Sequence, residues 1–217
     1  PSDAFRITGP FAAAYGLLLV LVISFLTVGV FSDEMNSESR FVYYSTKYGP
    51  TRGAAAKILA VFIIATMLYW SGMLLMSLIS FGGMGTGGAF ASIQTESPYS
   101  MYGLNFLERY LLILLSGYVA CLFSAGMTLL LFVKTKSAIS AMSISGLPLL
   151  AGNDAFESFR MLTPDRLFHV QDNMNNPCVY QFGTIVCSRV TLLIALYSFL
   201  LIPTVVLSYR GFRKGSM

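Results

Sequence analysis

The chain has 217 residues, of which 55% are hydrophobic and only 11% charged, and its mean hydropathy is +0.69. Soluble domains carry roughly 25% charged residues, so this composition excludes a soluble globular protein. The 14 Lys and Arg outnumber the 10 Asp and Glu, giving a formal net charge of +4. Because no basic cluster with interleaved aromatic residues accompanies this excess, we expect no nucleic-acid partner and assign the basic residues to the cytoplasmic loops of a membrane protein.

Long apolar stretches dominate the sequence. The first, FAAAYGLLLVLVISFLTVGVF at 11–31, contains no charge, and about 20 apolar residues are enough for a helix to cross a bilayer. Further spans are predicted at about 55–81, 108–133, 137–152 and 190–209. Lipid offers no partner to free backbone groups, so each span must be helical. The sequence therefore predicts an all-α integral membrane protein, with residues 1–217 forming a single transmembrane domain.

Three of these spans contain proline or small residues at positions that affect helix geometry or packing. Pro148 and Pro203 lie inside the fourth and fifth, where proline is tolerated if neighbouring helices satisfy the freed carbonyl. We expect kinks there; at Pro148 the alternative is that the chain leaves the membrane. Small residues in the fourth span, and Gly117 with Cys121 in the third, favour close contacts between helices, either within one subunit or across a dimer.

The orientation follows from the connections between spans. Basic residues are concentrated in segment 32–57, in the link that follows the third span and in the tail, which share one side if all five spans cross. Lys and Arg collect in cytoplasmic loops, so segment 32–54 is predicted to lie inside the cell and the loops 82–107 and 153–189 outside. The start of the chain is then outside, and we expect that a first span is missing and that the complete protein has six.

The two outer loops differ in pattern. The first contains GGMGTGG, which lacks the following Lys-Ser or Lys-Thr of a phosphate-binding loop and is interpreted as a flexible connection. In the second, NDAFESFRMLTPDRLFHV at 153–170 mixes apolar and charged positions. That mixture predicts one or two short amphipathic helices lying at the outer membrane interface.

Few residues offer catalytic or metal-binding chemistry. His169 is the only histidine, so there is no HExxH motif and no zinc site by spacing. The predicted spans contain no Asp, Glu, Lys, Arg or His at their centres, which disfavours a proton-driven pump and an intramembrane protease. We predict no catalytic residue and no metal site, and interpret Tyr69, Trp70, Tyr118 and Cys121 as packing groups.

Two further cysteines lie together in the second outer loop. Cys178 and Cys187 are predicted to face an oxidising space, where disulfides persist. The alternatives are a Cys178–Cys187 disulfide and two free thiols.

The cytoplasmic segment 32–57 reads SDEMNSESRFVYYSTKYGPTRGAAAK. Acidic residues favour a helix start, and Gly and Pro end a helix, so a short amphipathic helix is predicted between them. The pattern resembles the membrane subunits of type 2 ABC exporters, which carry such a helix between two spans. The matching positions are Glu34, Pro50-Thr51-Arg52 and Lys57. The segment departs from the family at Glu34-Met35, where Glu-Arg or Glu-Lys is usual.

The resemblance implies a permease subunit that forms the translocation pathway as a homo- or heterodimer and couples to a separate ATPase subunit in a bacterial plasma membrane. ATP and Mg would be held by that partner, because this chain has no Walker motif and is not expected to be an enzyme or to bind a cofactor. The implied coupling residues are Glu34, Tyr48, Gly49, Pro50, Arg52 and Lys57. Glu34 and Arg52 are expected to make polar contacts with the ATPase, or else to anchor the chain at the lipid headgroups.

A different class of function is also compatible with the sequence. A non-transporting membrane sensor, or an immunity-type protein that binds a toxin with its outer loop, would need the same spans. An associated ATPase subunit would separate the two classes. The cargo of an exporter is not identified by these residues.

Overall fold

The computed structural model describes residues 3–36, 52–96, 100, 102–137, 139–143, 163–175, 179–182 and 185–214. Within them the fold is mostly helical. The helices are α1 (Asp3–Asn36), α2 (Ala54–Met84), α3 (Phe106–Thr135), the short α4 (Val170–Asn175) and α5 (Arg189–Lys214). The remaining elements are two 3₁₀ turns, Ile93–Thr95 and Pro164–Leu167, and an antiparallel hairpin of β1 (Val179–Phe182) and β2 (Ile185–Ser188).

Four of these helices are long and apolar enough to cross a membrane: Asp3–Gly29 of α1, α2, α3 and Arg189–Phe212 of α5. Four apolar helices of this length indicate a membrane protein. They contain most or all of the predicted spans 11–31, 55–81, 108–133 and 190–209, which are therefore confirmed as helical. Of the predicted span 137–152, the structure describes a helical turn at 139–143, and residues 144–152 lie outside the described residues.

Helices α3 and α5 run in the same direction. Phe123 packs on Tyr197 with ring centroids 4.7 Å apart, and further along both helices Val133 lies against Gly211. Two consecutive long helices that run in the same direction are joined from the end of the first to the start of the second. Helix α3 has 30 residues and is therefore about 45 Å long. The start of α5 therefore lies at the same end of the bundle as the start of α3.

Helix α1 is parallel to α3 and antiparallel to α2. Near the start of α1, Phe5 lies 6.1 Å from Tyr110, and further along both helices the Ser24 and Thr128 hydroxyls are 3.2 Å apart. The same Phe5 packs on Phe81 near the end of α2, with ring centroids 5.0 Å apart. The bundle thus has three described helices running one way and α2 running the other way.

These directions give the bundle two chemically different ends. The basic end holds the end of α1, the start of α2 and the ends of α3 and α5; the loop end is the opposite one. The described part of the basic end carries seven basic residues against two acidic: Arg52, Lys57, Lys134, Lys136, Arg210, Arg213 and Lys214, with Asp33 and Glu34. The described part of the loop end carries four basic residues and five acidic residues.

Helix α3 lies at the centre, in contact with α1, α2 and α5. Tyr69 of α2 donates a hydrogen bond to the carbonyl oxygen of Leu114 at 2.8 Å and packs over Gly117. Cys121 is fully buried, with its sulfur 3.7 Å from the carbonyl oxygen of Ala65. The predicted packing roles are confirmed, and the contacts of Gly117 and Cys121 are made within one chain. Trp70 and Tyr118 complete this aromatic cluster around Tyr69.

Proline does not interrupt the last helix. Pro203 lies inside α5, which is continuous from Arg189 to Lys214. The expected continuity of the span at this proline is confirmed, and the expected kink stays a prediction. Pro148 lies outside the described residues.

The first outer loop folds back onto the start of α3. Gly85, with φ 77°, ends α2, a conformation that glycine adopts without strain. The backbone N–H of Ile93 then donates to the carbonyl oxygen of Leu104 at 3.0 Å, and that of Phe106 donates to Ala91 at 3.2 Å. The sequence was interpreted as a flexible connection because its glycines indicate turns but not these backbone pairings.

The second outer loop enters the bundle in its described part, 163–175. Leu167 and Phe168 are buried, and the Phe168 ring lies against Gly16 of α1. Gly16 is ten residues beyond Arg6, about 15 Å along the helix axis. The expected short helices are described here as the 3₁₀ turn Pro164–Leu167 and α4. Their position at the membrane interface stays a prediction, and Leu167 and Phe168 pack between the long helices.

The rest of the loop 153–189 adds a feature that was not predicted. Strands β1 and β2 pair with Tyr180 opposite Cys187. The hairpin is an exception to the all-α prediction, and four-residue strands are too short for their alternation to be distinguished from loop sequence. Residues 153–162 of the predicted outer helices lie outside the described residues.

Replacing Gly16 by Ala is expected to lower the free energy of unfolding by about 1–3 kcal/mol, the usual cost of overpacking. A Cβ at this position would lie 2.2 Å from a ring carbon of Phe168, and that ring is 3% exposed and has no open space to enter. Gly29→Ala in the same helix is the matched control, because no atom of the described residues lies within 4 Å of its Cβ position. Equilibrium unfolding in mixed detergent micelles measures both variants, and equal stabilities would contradict the packing described here.

Candidate functional site

Three of the residues implied in coupling come together at the basic end. Glu34 lies in the last turn of α1, Arg52 in the helical turn that precedes α2, and Lys57 in the first turn of α2. Arg52 is exposed and Lys57 half-buried. Because α1 and α2 are antiparallel, residues 23 positions apart in the chain reach the same end of the bundle. The others, Tyr48, Gly49 and Pro50, lie outside the described residues.

Helix α2 is preceded by a helical turn at residues 52 and 53. Gly53, at the N-cap position, has helical backbone angles and no side chain that could cap the helix. The residues before this turn lie outside the described residues.

Helices α2 and α5 turn the largest apolar surfaces outward, since they are the least buried of the four candidate spans. Leu59 and Leu78 of α2 are 63% and 72% exposed, and Phe199 and Ile202 of α5 are 72% and 61% exposed. Surfaces of this kind meet lipid or another membrane subunit.

An ion-pair network at the loop end was not predicted. One carboxylate oxygen of Glu96 lies 3.4 Å from Nε of Arg6, and the other lies 3.1 Å from Nη1 of Arg109. Arg109 is 1% exposed, and its guanidinium carbon is 4.9 Å from the centre of the Phe106 ring, a cation–π contact. The three charges join the first outer loop to α1 and α3. This network could not be predicted from the sequence, because Arg6 and Glu96 lie 90 positions apart along the chain.

A second polar cluster lies between α4 and α5. Asn173 is 1% exposed; its side-chain amide donates to the carbonyl oxygen of Arg166 at 2.8 Å and its oxygen lies 3.4 Å from Nη1 of Arg189. Buried polar groups are retained when they are hydrogen-bonded, so this cluster fixes the loop against the start of α5. No sequence motif marks Asn173.

His169 faces carboxylates on both sides. Its Nδ1 is 3.2 Å from Asp172 and its Nε2 is 3.5 Å from Asp165. Both ring nitrogens therefore face carboxylates, and neither faces a nucleophile among the described residues. Among the described residues, no group of three or more His, Cys, Asp or Glu could hold a metal ion.

The cysteine pair is described in part. Cys187 lies in β2, half-buried, and Cys178 lies outside the described residues. The Cys178–Cys187 disulfide stays a prediction.

Comparison with known proteins identifies no similar protein. No family model matches the chain, and neither a curated protein nor a solved structure matches it. The function must therefore be inferred from the geometry of the chain itself, whose described residues offer polar contact surfaces at both ends and no catalytic constellation.

Proposed function

We propose that the chain is the permease subunit of a type 2 ABC exporter, working as a homo- or heterodimer with a separate ATPase subunit in a bacterial plasma membrane. The observation that supports this most is that Glu34, Arg52 and Lys57 all lie at the basic end of the bundle. The segment that resembles a coupling helix thus begins and ends on the face that the excess of Lys and Arg assigns to the cytoplasm.

The bundle offers a route for transmitting force from that face. A partner that moves segment 37–51 would act on α1 and α2 together, because both helices are joined to it. The Tyr15 hydroxyl donates to the carbonyl oxygen of Leu68 at 2.6 Å, and Tyr69 donates to Leu114 at 2.8 Å. These bonds tie α1 to α2 and α2 to the central α3, so the helices would move as packed units.

The energy for transport would come from the partner. The centres of the four candidate spans carry no ionisable Asp, Glu, Lys, Arg or His. Proton-coupled carriers place such groups in their spans. In this proposal ATP turnover on the ATPase subunit drives the motion, and the exposed faces of α2 and α5 supply contacts to lipid and to the second permease subunit.

A second candidate, a non-transporting sensor or immunity-type protein, draws support from the loop end. Phe90 is 81% exposed beside a cavity of about 580 Å³ whose lining includes Phe5, Phe81 and Tyr110. Exposed aromatic side chains at a ligand-sized cleft are typical of binding surfaces. This candidate requires a binding partner at the loop end and none at the basic end.

Purification from native membranes in mild detergent separates the two functions. We expect an ATPase subunit with Walker motifs to co-purify with the chain in near-stoichiometric amount. Replacing residues 37–51 by a Gly-Ser linker of equal length should abolish this association while the purified chain keeps its helical circular dichroism. If the unaltered chain retains no ATPase, the exporter proposal fails; if it retains a partner that contacts only the loop end, the second candidate replaces it.

A further inference from the structure

An apolar groove of about 610 Å³ runs between α2 and α5 in the half of the bundle nearest the basic end. Its lining includes Ile58, Leu59, Phe62, Val205, Tyr209 and Arg210. Gly126 of α3 lies beneath it: a Cβ there would be 3.1 Å from the Thr204 hydroxyl and 3.8 Å from the Phe62 ring. The groove is an open cleft between α2 and α5, and its volume lies in the range of ligand clefts, about 300–1,000 Å³.

The groove is apolar along its length and cationic at one end. Arg210, directly after Tyr209, is exposed where the groove approaches the basic end of the bundle. The described part of the basic end carries six further basic residues and two acidic residues. An occupant that complements both parts has an apolar tail and an anionic head.

We propose that this groove binds an anionic phospholipid, with an acyl chain against Phe62 and Val205 and the phosphate at Arg210. Anionic lipids are enriched in the cytoplasmic leaflet, the side that the excess of Lys and Arg assigns to this end. An apolar helix of a second subunit would fill the same groove but leave the Arg210 charge without a counter-ion, whereas a phosphate supplies one. The site requires no transport activity and goes beyond the proposed function.

The single tryptophan of the chain, Trp70, permits a direct test. In a Trp70→Phe background, Phe62→Trp places a fluorescent reporter in the groove. The variant is reconstituted into phosphatidylcholine vesicles that contain increasing fractions of phosphatidylglycerol with brominated acyl chains, and a parallel series uses brominated phosphatidylcholine. We expect phosphatidylglycerol to quench with an apparent affinity about five-fold higher, which corresponds to about 1 kcal/mol for one basic residue near the membrane surface.

Matched variants test whether the preference for phosphatidylglycerol over phosphatidylcholine arises at the groove. Arg210→Gln should abolish it and Arg210→Lys should retain it. Leu78→Trp, at a position 72% exposed in the other half of α2, should show equal quenching by the two lipids. If Phe62→Trp does not give a monodisperse protein, Val205→Trp reports from the facing helix. Equal quenching by both lipids in the groove overturns the proposal, and so does the absence of quenching by either, which would mean that protein covers the groove.

Discussion

Replacing Glu96 by Gln is expected to lower the free energy of unfolding by about 3 kcal/mol, the lower end of the usual cost of removing one partner from a buried ion pair. Glu96 holds the guanidinium of Arg109, which is 1% exposed, through a contact of 3.1 Å. Without the carboxylate this positive charge stays buried beside Phe106 while Arg6 remains nearby. The lower end is expected because the Glu96 side chain is itself 25% exposed. Unfolding in mixed micelles measures the effect.

Arg6 supplies the matched control for this prediction. It pairs with the same carboxylate, but its side chain is 68% exposed, so Arg6→Ala should cost no more than about 1 kcal/mol. Arg109→Met removes the buried charge together with its need for a counter-ion. The double variant Glu96→Gln/Arg109→Met should therefore be more stable than Glu96→Gln alone. Equal effects of Glu96→Gln and Arg6→Ala would show that Arg109 is hydrated instead of buried.

The long helices could be predicted because a charge-free stretch of about 20 apolar residues typically forms a membrane-spanning helix. The stretch 11–31 lies within α1, and the stretch 190–209 lies within α5 even though Pro203 interrupts its backbone hydrogen bonds. The helix ends were less predictable. Helix α1 extends back to Asp3, beyond the apolar stretch, because its first turns pack on Phe81 and Tyr110 through Phe5. Such tertiary contacts leave no periodic signal in the sequence.

The polar contacts of the loop end escaped prediction for a related reason. Glu96 was assigned to a glycine-rich loop and Arg109 to the flank of a span, and nothing in the spacing of the two indicates a pair. Asn173 carries no motif at all, yet it joins Arg166 to Arg189. Residues of these kinds are recognised only after the chain has folded back on itself. At the basic end the acidic residues were expected to start a short helix, whereas α1 continues through Asp33 and Glu34 to Asn36. Charge and composition do not mark that end, because a helix can continue past the last apolar residue of a span.

Arg52→Ala is expected to weaken association with the ATPase subunit by about 30-fold or more while leaving insertion and dimerisation intact. Removing one partner of a desolvated charge contact costs roughly 2–5 kcal/mol, and about 2 kcal/mol corresponds to that factor. Arg52 is exposed in the turn before α2, on the surface of the basic end. Glu34→Ala is expected to act in the same direction. In the proposed function, binding of the purified ATPase subunit to the reconstituted chain measures the affinity, and ATP turnover per exported molecule measures the coupling.

Lys134→Ala is the control for both variants, because it removes an exposed basic residue at the same end of the bundle but from the end of α3. A general loss of positive charge would weaken binding in all three variants alike and would disappear at high salt, where exposed charges are screened. A contact at the joint between the subunits would instead affect Arg52→Ala and Glu34→Ala selectively and persist in salt. If Arg52→Ala and Glu34→Ala bind the ATPase and export normally, these residues anchor the chain at the headgroups and the coupling surface lies elsewhere in segment 37–51.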